Sequence, residues 1–178
     1  MITNITEIFY ILVLTVAIGY IFSGYIKIPG FYSKGFNWEA IKFAIIVSAP
    51  AIILHELAHK FIGLAFGYEA MFNIWWFGLA LGIFLRVIGS PFLILAPGYV
   101  SVNPGSSMEL SLIAFAGPFI NLLLFLSALL VLRFKRRLKR KEFLFWHLTK
   151  TINLWLFIFN MIPIPPLDGS KVLAGLLG

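Results

Sequence analysis

The chain contains no cysteine, which removes disulfide frameworks, thiolate metal sites and cysteine nucleophiles. Acid is almost as scarce: seven Asp and Glu in all, with Asp168 the single aspartate. A pair of aspartates sharing a proton, the core of an aspartyl protease, is therefore excluded. A rhomboid-type serine site would need a G-x-S-G turn, and none occurs. Charged residues make up 12% of the 178 positions against 61% hydrophobic ones, with a mean hydropathy of +0.98. A soluble domain of this length has too much surface to cover for that balance. A polytopic membrane protein, with lipid in place of water, does not.

The charge that is present is lopsided. Net charge is +7, and seven of the 14 basic residues fall within positions 133–141, between two apolar stretches. That placement marks a juxtamembrane anchor facing anionic lipid, so the expected partner is the bilayer and not nucleic acid. The N-terminus has no basic leader, a long apolar run over 8–25 and a weak cleavage pattern. It reads as a retained first span.

About 20 apolar residues cross a bilayer as a helix. Residues 8–26, 41–66, 110–134 and 143–162 qualify, the last with a broken continuation to 177. The expectation is an all-α membrane protein with about four transmembrane helices. No repeat, linker or polar insert interrupts it, so one domain covers 1–178, with a first helix at 8–26 and a core at 40–178. Residues 29–39 form a short polar loop. Residues 67–109 are apolar but broken by glycines and prolines, and glycines alternate there with aromatics. This predicts a membrane-associated strand or hairpin region between the second and third helices, with a turn at Pro97-Gly98. A short fifth helix over 71–87 is the weaker alternative.

In the middle of the second span stands His55-Glu56-Leu57-Ala58-His59. At about 3.6 residues per turn, the two histidines project from one face, about 6 Å apart along the axis. Two imidazoles so spaced can bind one Zn²⁺, and Glu56 can serve as general base toward a water. Each ionisable group at the centre of a spanning helix costs roughly 2.5–3.5 kcal/mol to insert. Three within five residues are hard to explain as a packing cluster.

A catalytic zinc site takes three protein ligands and leaves one position open. Ile62 and Ala65 stand where a metzincin would have Gly and His, so that pattern fails. The remaining candidates are Glu69, Glu109, Glu142, His147 and Asp168. Glu69 is too near along the chain, and Glu109, Glu142 and His147 sit at span boundaries, where solvated end residues are common. Asp168 follows Asn160-Met161-Ile162-Pro163-Ile164-Pro165-Pro166-Leu167. Prolines that dense cannot continue a helix. An unwound segment at membrane depth is tolerated where it lines a cavity, and an anionic side chain presented there suits a metal. A helix cap at the membrane surface is the plainer alternative.

These residues resemble the site-2 protease family of intramembrane zinc metalloproteases. The likeness rests on the His55-to-His59 motif, on Asn160 to Gly169, similar to the family's N-x-x-P-x-P-x-L-D-G, and on Ala116-Gly117-Pro118-Phe119-Ile120-Asn121, similar to its G-P-x-x-N helix start. The resemblance implies that His55, His59 and Asp168 hold one zinc per chain and that Glu56 activates water. It implies an orienting role near the active site for Asn160, for which capping of the adjacent broken backbone is the alternative. The substrate class implied is a membrane-spanning protein or peptide, cut within the bilayer. The chain looks like a minimal core of that family, or a shortened form of a longer member, without the PDZ domain that some members insert or the further helices of longer ones. An edge strand at 97–100 would suit substrate binding by strand addition, with a strand that only packs against the core as the alternative.

A zinc-binding membrane transporter or carrier with the same ligands is the alternative function. It needs a polar path across the bilayer, and the spans offer few other polar residues. A silent membrane scaffold would have no use for Glu56. For orientation, the basic cluster at 133–141 marks a cytoplasmic side, whereas the resemblance puts the opposite, active-site end nearer the cytoplasm.

Overall fold

A computed structural model describes residues 4–26, 37–90, 98–103 and 105–178. Along the chain run α1 (Ile5–Ser23), α2 (Trp38–Ala65), β1 (Met71–Ile74), α3 (Trp76–Val87), β2 (Gly98–Ser101), α4 (Ser107–Phe134), α5 (Arg140–Asn160) and α6 (Asp168–Leu177). The polar loop expected at 29–39 falls largely outside the described residues, as does Pro97. Two compact units divide the chain, 1–53 with 72–101 and 54–71 with 102–178, and α2 runs through the division at Ile53.

In the first unit α1 begins with a capping box. Asn4 Oδ1 accepts from Glu7 N at 2.9 Å, and Glu7 Oε2 accepts from Asn4 N at 3.1 Å. Both orphan donors at the helix start are thus satisfied. Glu7 is buried, and its second oxygen accepts the Phe72 N–H at 2.8 Å, tying β1 to the start of α1. Leu14, Ile18, Ile21 and Phe22 recur at helical spacing and form the buried stripe of α1. Gly19 meets Ile45 so closely that no Cβ would fit, which brings α1 against α2.

The region between the second and third long helices is only partly the strand region expected. β1 and β2 pair into a two-stranded sheet, but α3 lies between them in sequence. Gly78 and Gly82, four apart, are both buried with Leu79 on one face of α3. Small residues at that spacing let helices approach closely. At about 1.5 Å per residue the twelve residues of α3 span about 18 Å, short of a hydrocarbon core of about 30 Å.

In the second unit α4 is the central helix, packed by α5 and α6. Its N-cap Ser106 accepts from Glu109 N. Gly175 of α6 sits on the first turn of α4, where a Cβ would stand 2.8 Å from Ser111 Cβ, and Ser111 Oγ donates to the Val172 carbonyl at 2.6 Å. Pro118 lies inside α4 and removes the donor that the Ala114 carbonyl would otherwise receive.

All four expected spans are helices, but among the described residues three, α1, α2 and α4, combine the length and apolarity to cross a membrane. The fourth, α5, is long enough at 21 residues. Arg140, Lys141, Glu142, His147, Lys150 and Asn153 dilute its hydropathy. After Asn160 the helix stops, as the proline run requires, and the chain resumes helical form at Asp168. Pro163, Ile164, Pro165 and Pro166 are exposed; the chain turns inward at Asp168 and Gly169.

Candidate metal centre

One turn of α2 separates His55 from His59, and their rings lie 4.7 Å apart at 84°. His59 Nε2 and His55 Nε2 are 3.1 Å apart. Asp168 Oδ2 lies 3.1 Å from His55 Nε2 and 3.3 Å from His59 Nε2. Asp168 opens α6, and the cap position belongs to Leu167, which makes no side-chain cap. Its carboxylate is turned to the two rings rather than to the helix backbone, and the positive end of α6 favours a negative charge there. All three residues are buried, at 6%, 7% and 8% exposure.

These three atoms form a nearly equilateral triangle. Tetrahedral zinc with bonds of about 2.0–2.1 Å places its ligand atoms about 3.3 Å apart, close to the edges observed here. Three hydrogen-bonding atoms meeting pairwise would be poorly served by any protonation pattern, since adjacent Nε2 atoms cannot both donate to one another. The orientation of the rings fits a metal as well. His59 Nδ1 lies 2.7 Å from the Ile113 carbonyl, which can only accept, so that nitrogen carries a proton and in the neutral ring Nε2 is bare. His55 Nδ1 lies 2.6 Å from Asn121 Oδ1. Carbonyls behind the non-ligating nitrogens are the usual second layer of a zinc site.

Gly117 closes the remaining side. A Cβ there would stand 2.7 Å from His55 Nε2 and would also strike His59 Nε2. The cradle at the three ligand atoms is open because residue 117 has no side chain.

Glu56 is half-buried and follows His55 directly on α2. Asn160 Nδ2 donates to the Leu156 carbonyl at 3.0 Å, backing the last turn of α5. The other candidates for third ligand are engaged elsewhere. Glu109 accepts from the Tyr68 hydroxyl and from Ser106 Oγ, Glu142 accepts from Lys139 N and Lys135, His147 stacks on Phe143, and Glu69 is exposed. Among the described residues His55, His59 and Asp168 are the cluster able to hold a metal ion.

Asn121, which the sequence offered only as part of the G-P-x-x-N likeness, and Asn153 and Thr149, which it did not single out, also connect to this centre. Asn121 Nδ2 donates to Asn153 Oδ1 at 2.9 Å, and Asn153 Nδ2 donates to the Thr149 carbonyl at 2.8 Å. Thr149 and Asn153 stand four apart in α5, a polar stripe visible in sequence but readable there only as dilution of an apolar helix.

No protein-family profile matches the chain, and no solved structure matches it. A protein of Methanocaldococcus jannaschii provisionally named a zinc metalloprotease is 37% identical over 149 residues, covering 77% of this chain and 73% of the relative. The chain belongs to the same zinc metalloprotease family as that archaeal protein.

Proposed function

We propose that the chain is an intramembrane zinc metalloendopeptidase of the site-2 protease type, cutting a peptide bond of a membrane-spanning substrate. The observation that carries this reading is the triangle of His55 Nε2, His59 Nε2 and Asp168 Oδ2, with edges of 3.1–3.3 Å beside Glu56 on an apolar helix. His55, His59 and Asp168 would hold one zinc per chain. When bound, zinc supplies a Lewis acid that brings the pKa of water near neutrality.

The rest belongs to the side chains. Glu56 takes a proton from the attacking water, the water oxygen bonds to the peptide carbonyl carbon, and the C–N bond breaks as Glu56 returns the proton to the leaving amine. Asp168 brings one negative charge to a buried site, lowering its net charge and easing its burial. Asn160 fits an orienting role through its amide oxygen better than an oxyanion role, because its nitrogen is engaged with Leu156. Within this reading the chain is one domain and crosses the cell membrane several times, with α5 as the fourth span and α1 flanking a core that begins near residue 40. A carrier for zinc would need a polar path. The buried polar side chains Asn121 and Asn153 are bonded to one another and to the site instead.

Glu56→Gln tests the proposal. The amide cannot accept the proton, while the three ligands are untouched. Zinc content should remain near one per chain and cleavage of a model transmembrane peptide should vanish. Cleavage at the wild-type rate would remove Glu56 from the mechanism. Zinc transport into vesicles without cleavage would favour the carrier.

A further inference from the structure

His59 is aimed by a backbone carbonyl, which no substitution removes. His55 is aimed by side chains, and those side chains continue for two more links. Asn121 is 0% and Asn153 1% exposed, so every polar atom they carry is at stake. The direction of the chain can be read from its far end. The Thr149 carbonyl can only accept, so Asn153 must present its NH₂ group there. Its oxygen then faces Asn121, which must answer with its own NH₂ group. The oxygen of Asn121 is left facing His55 Nδ1, and an acceptor at 2.6 Å requires that nitrogen to carry the proton. In the neutral ring Nε2 is then the bare nitrogen, the one turned to Asp168 Oδ2 and His59 Nε2.

We infer that Asn121 and Asn153 are positioning residues of the metal centre: a relay from the Thr149 carbonyl of α5 through α4 that fixes the tautomer and ring orientation of His55 for zinc. The inference rests on the zinc reading above. It differs from a simple polar clamp between two helices, which would stabilise α4 against α5 and leave metal affinity alone. The polarity is also specific. A reversed chain would present an NH₂ group to His55 Nδ1, put the proton on Nε2 and remove a ligand.

Zinc affinity, measured by competition with a chelating dye in detergent-solubilised full-length chain, decides the matter. Outer partners of zinc-bound histidine are typically worth about 10–100-fold in affinity. Asn121→Leu should lose about that much. Asn121→Asp keeps an oxygen for the Nδ1 proton and should not lose affinity. Asn153→Leu should weaken binding in the wild-type background and have no further effect in the Asn121→Leu background, because it acts through residue 121. Cobalt loaded in place of zinc should show an altered visible spectrum in Asn121→Leu and the wild-type one in Asn121→Asp. Unchanged affinity in Asn121→Leu, an equal loss in Asn121→Asp, or additive losses in the double variant would each overturn the relay while leaving the zinc site standing. If Asn121→Leu does not fold, Asn153→Leu decides: zinc binding weaker than wild type supports the relay, and unchanged affinity overturns it. A wild-type chain that binds no zinc would overturn both readings together.

Discussion

A methyl group added to residue 117 would stand 2.7 Å from His55 Nε2 and against His59 as well, with the two imidazoles as the groups that must yield. Alanine is otherwise the better helix former by about 1 kcal/mol, so Gly117→Ala should leave the helical content of the purified protein unchanged. Its zinc content should fall well below the wild-type value, measured by metal analysis of the same preparation. Full occupancy would show that the cradle lies elsewhere. Asp168→Asn keeps the volume and removes the charge. Since outer-layer changes cost about 10–100-fold, loss of this ligand should cost at least as much zinc affinity, and cleavage should fall with it. The triad of His55, His59 and Asp168 was legible in the sequence because ionisable groups and proline runs stand out in apolar stretches. The Ile113 carbonyl was not, since a backbone acceptor has no sequence signature.

Elements were legible to the extent that one period dominated them. Residues 41–66 and 110–134 have long apolar runs and became α2 and α4 with boundaries moved by a few residues. Residues 71–87 carry two periods at once. The glycines read as strand alternation, yet Gly78 and Gly82 are one helical turn apart and face inward. Only packing against α1 distinguishes the two, and packing is not local information. The tie between α1 and β1 was hidden for the same reason. Glu7 Oε2 accepts from Asn4 N and its Oε1 from Phe72 N. A glutamine would turn an NH₂ group toward one of those two N–H donors, leaving a buried donor unmet at a cost of about 1–3 kcal/mol. Glu7→Gln should therefore lower the unfolding free energy by that amount and speed amide exchange at Phe72. Exchange at Phe72 as slow as in wild type would show that the tie does not hold β1.

Across the whole molecule, large apolar side chains stay exposed on all three candidate spans, among them Phe9, Leu12 and Val16 on α1, Ile46 and Phe61 on α2, and Leu126 and Leu130 on α4. Such surfaces suit lipid contact and would aggregate in water. The hydropathy of the sequence made this legible, and it also explains why a site with two histidines and a carboxylate is conspicuous. The residues of the triad are far apart along the chain, His55 and Asp168 being separated by 113 positions, yet both belong to the unit formed by 54–71 and 102–178. A ligand that binds the folded state alone stabilises it by RT ln(1 + [L]/Kd), about 2.7 kcal/mol at a hundredfold excess over Kd. Zinc added to the metal-stripped chain should therefore slow amide exchange in α4, α6 and the C-terminal part of α2, and leave α1 and α3 nearly unchanged. The unfolding midpoint in detergent should rise with zinc in the wild type and stay fixed in the His55→Ala/His59→Ala variant. Protection spread evenly over α1 and α3, or a shift that survives the double substitution, would mean that zinc acts somewhere other than at His55, His59 and Asp168.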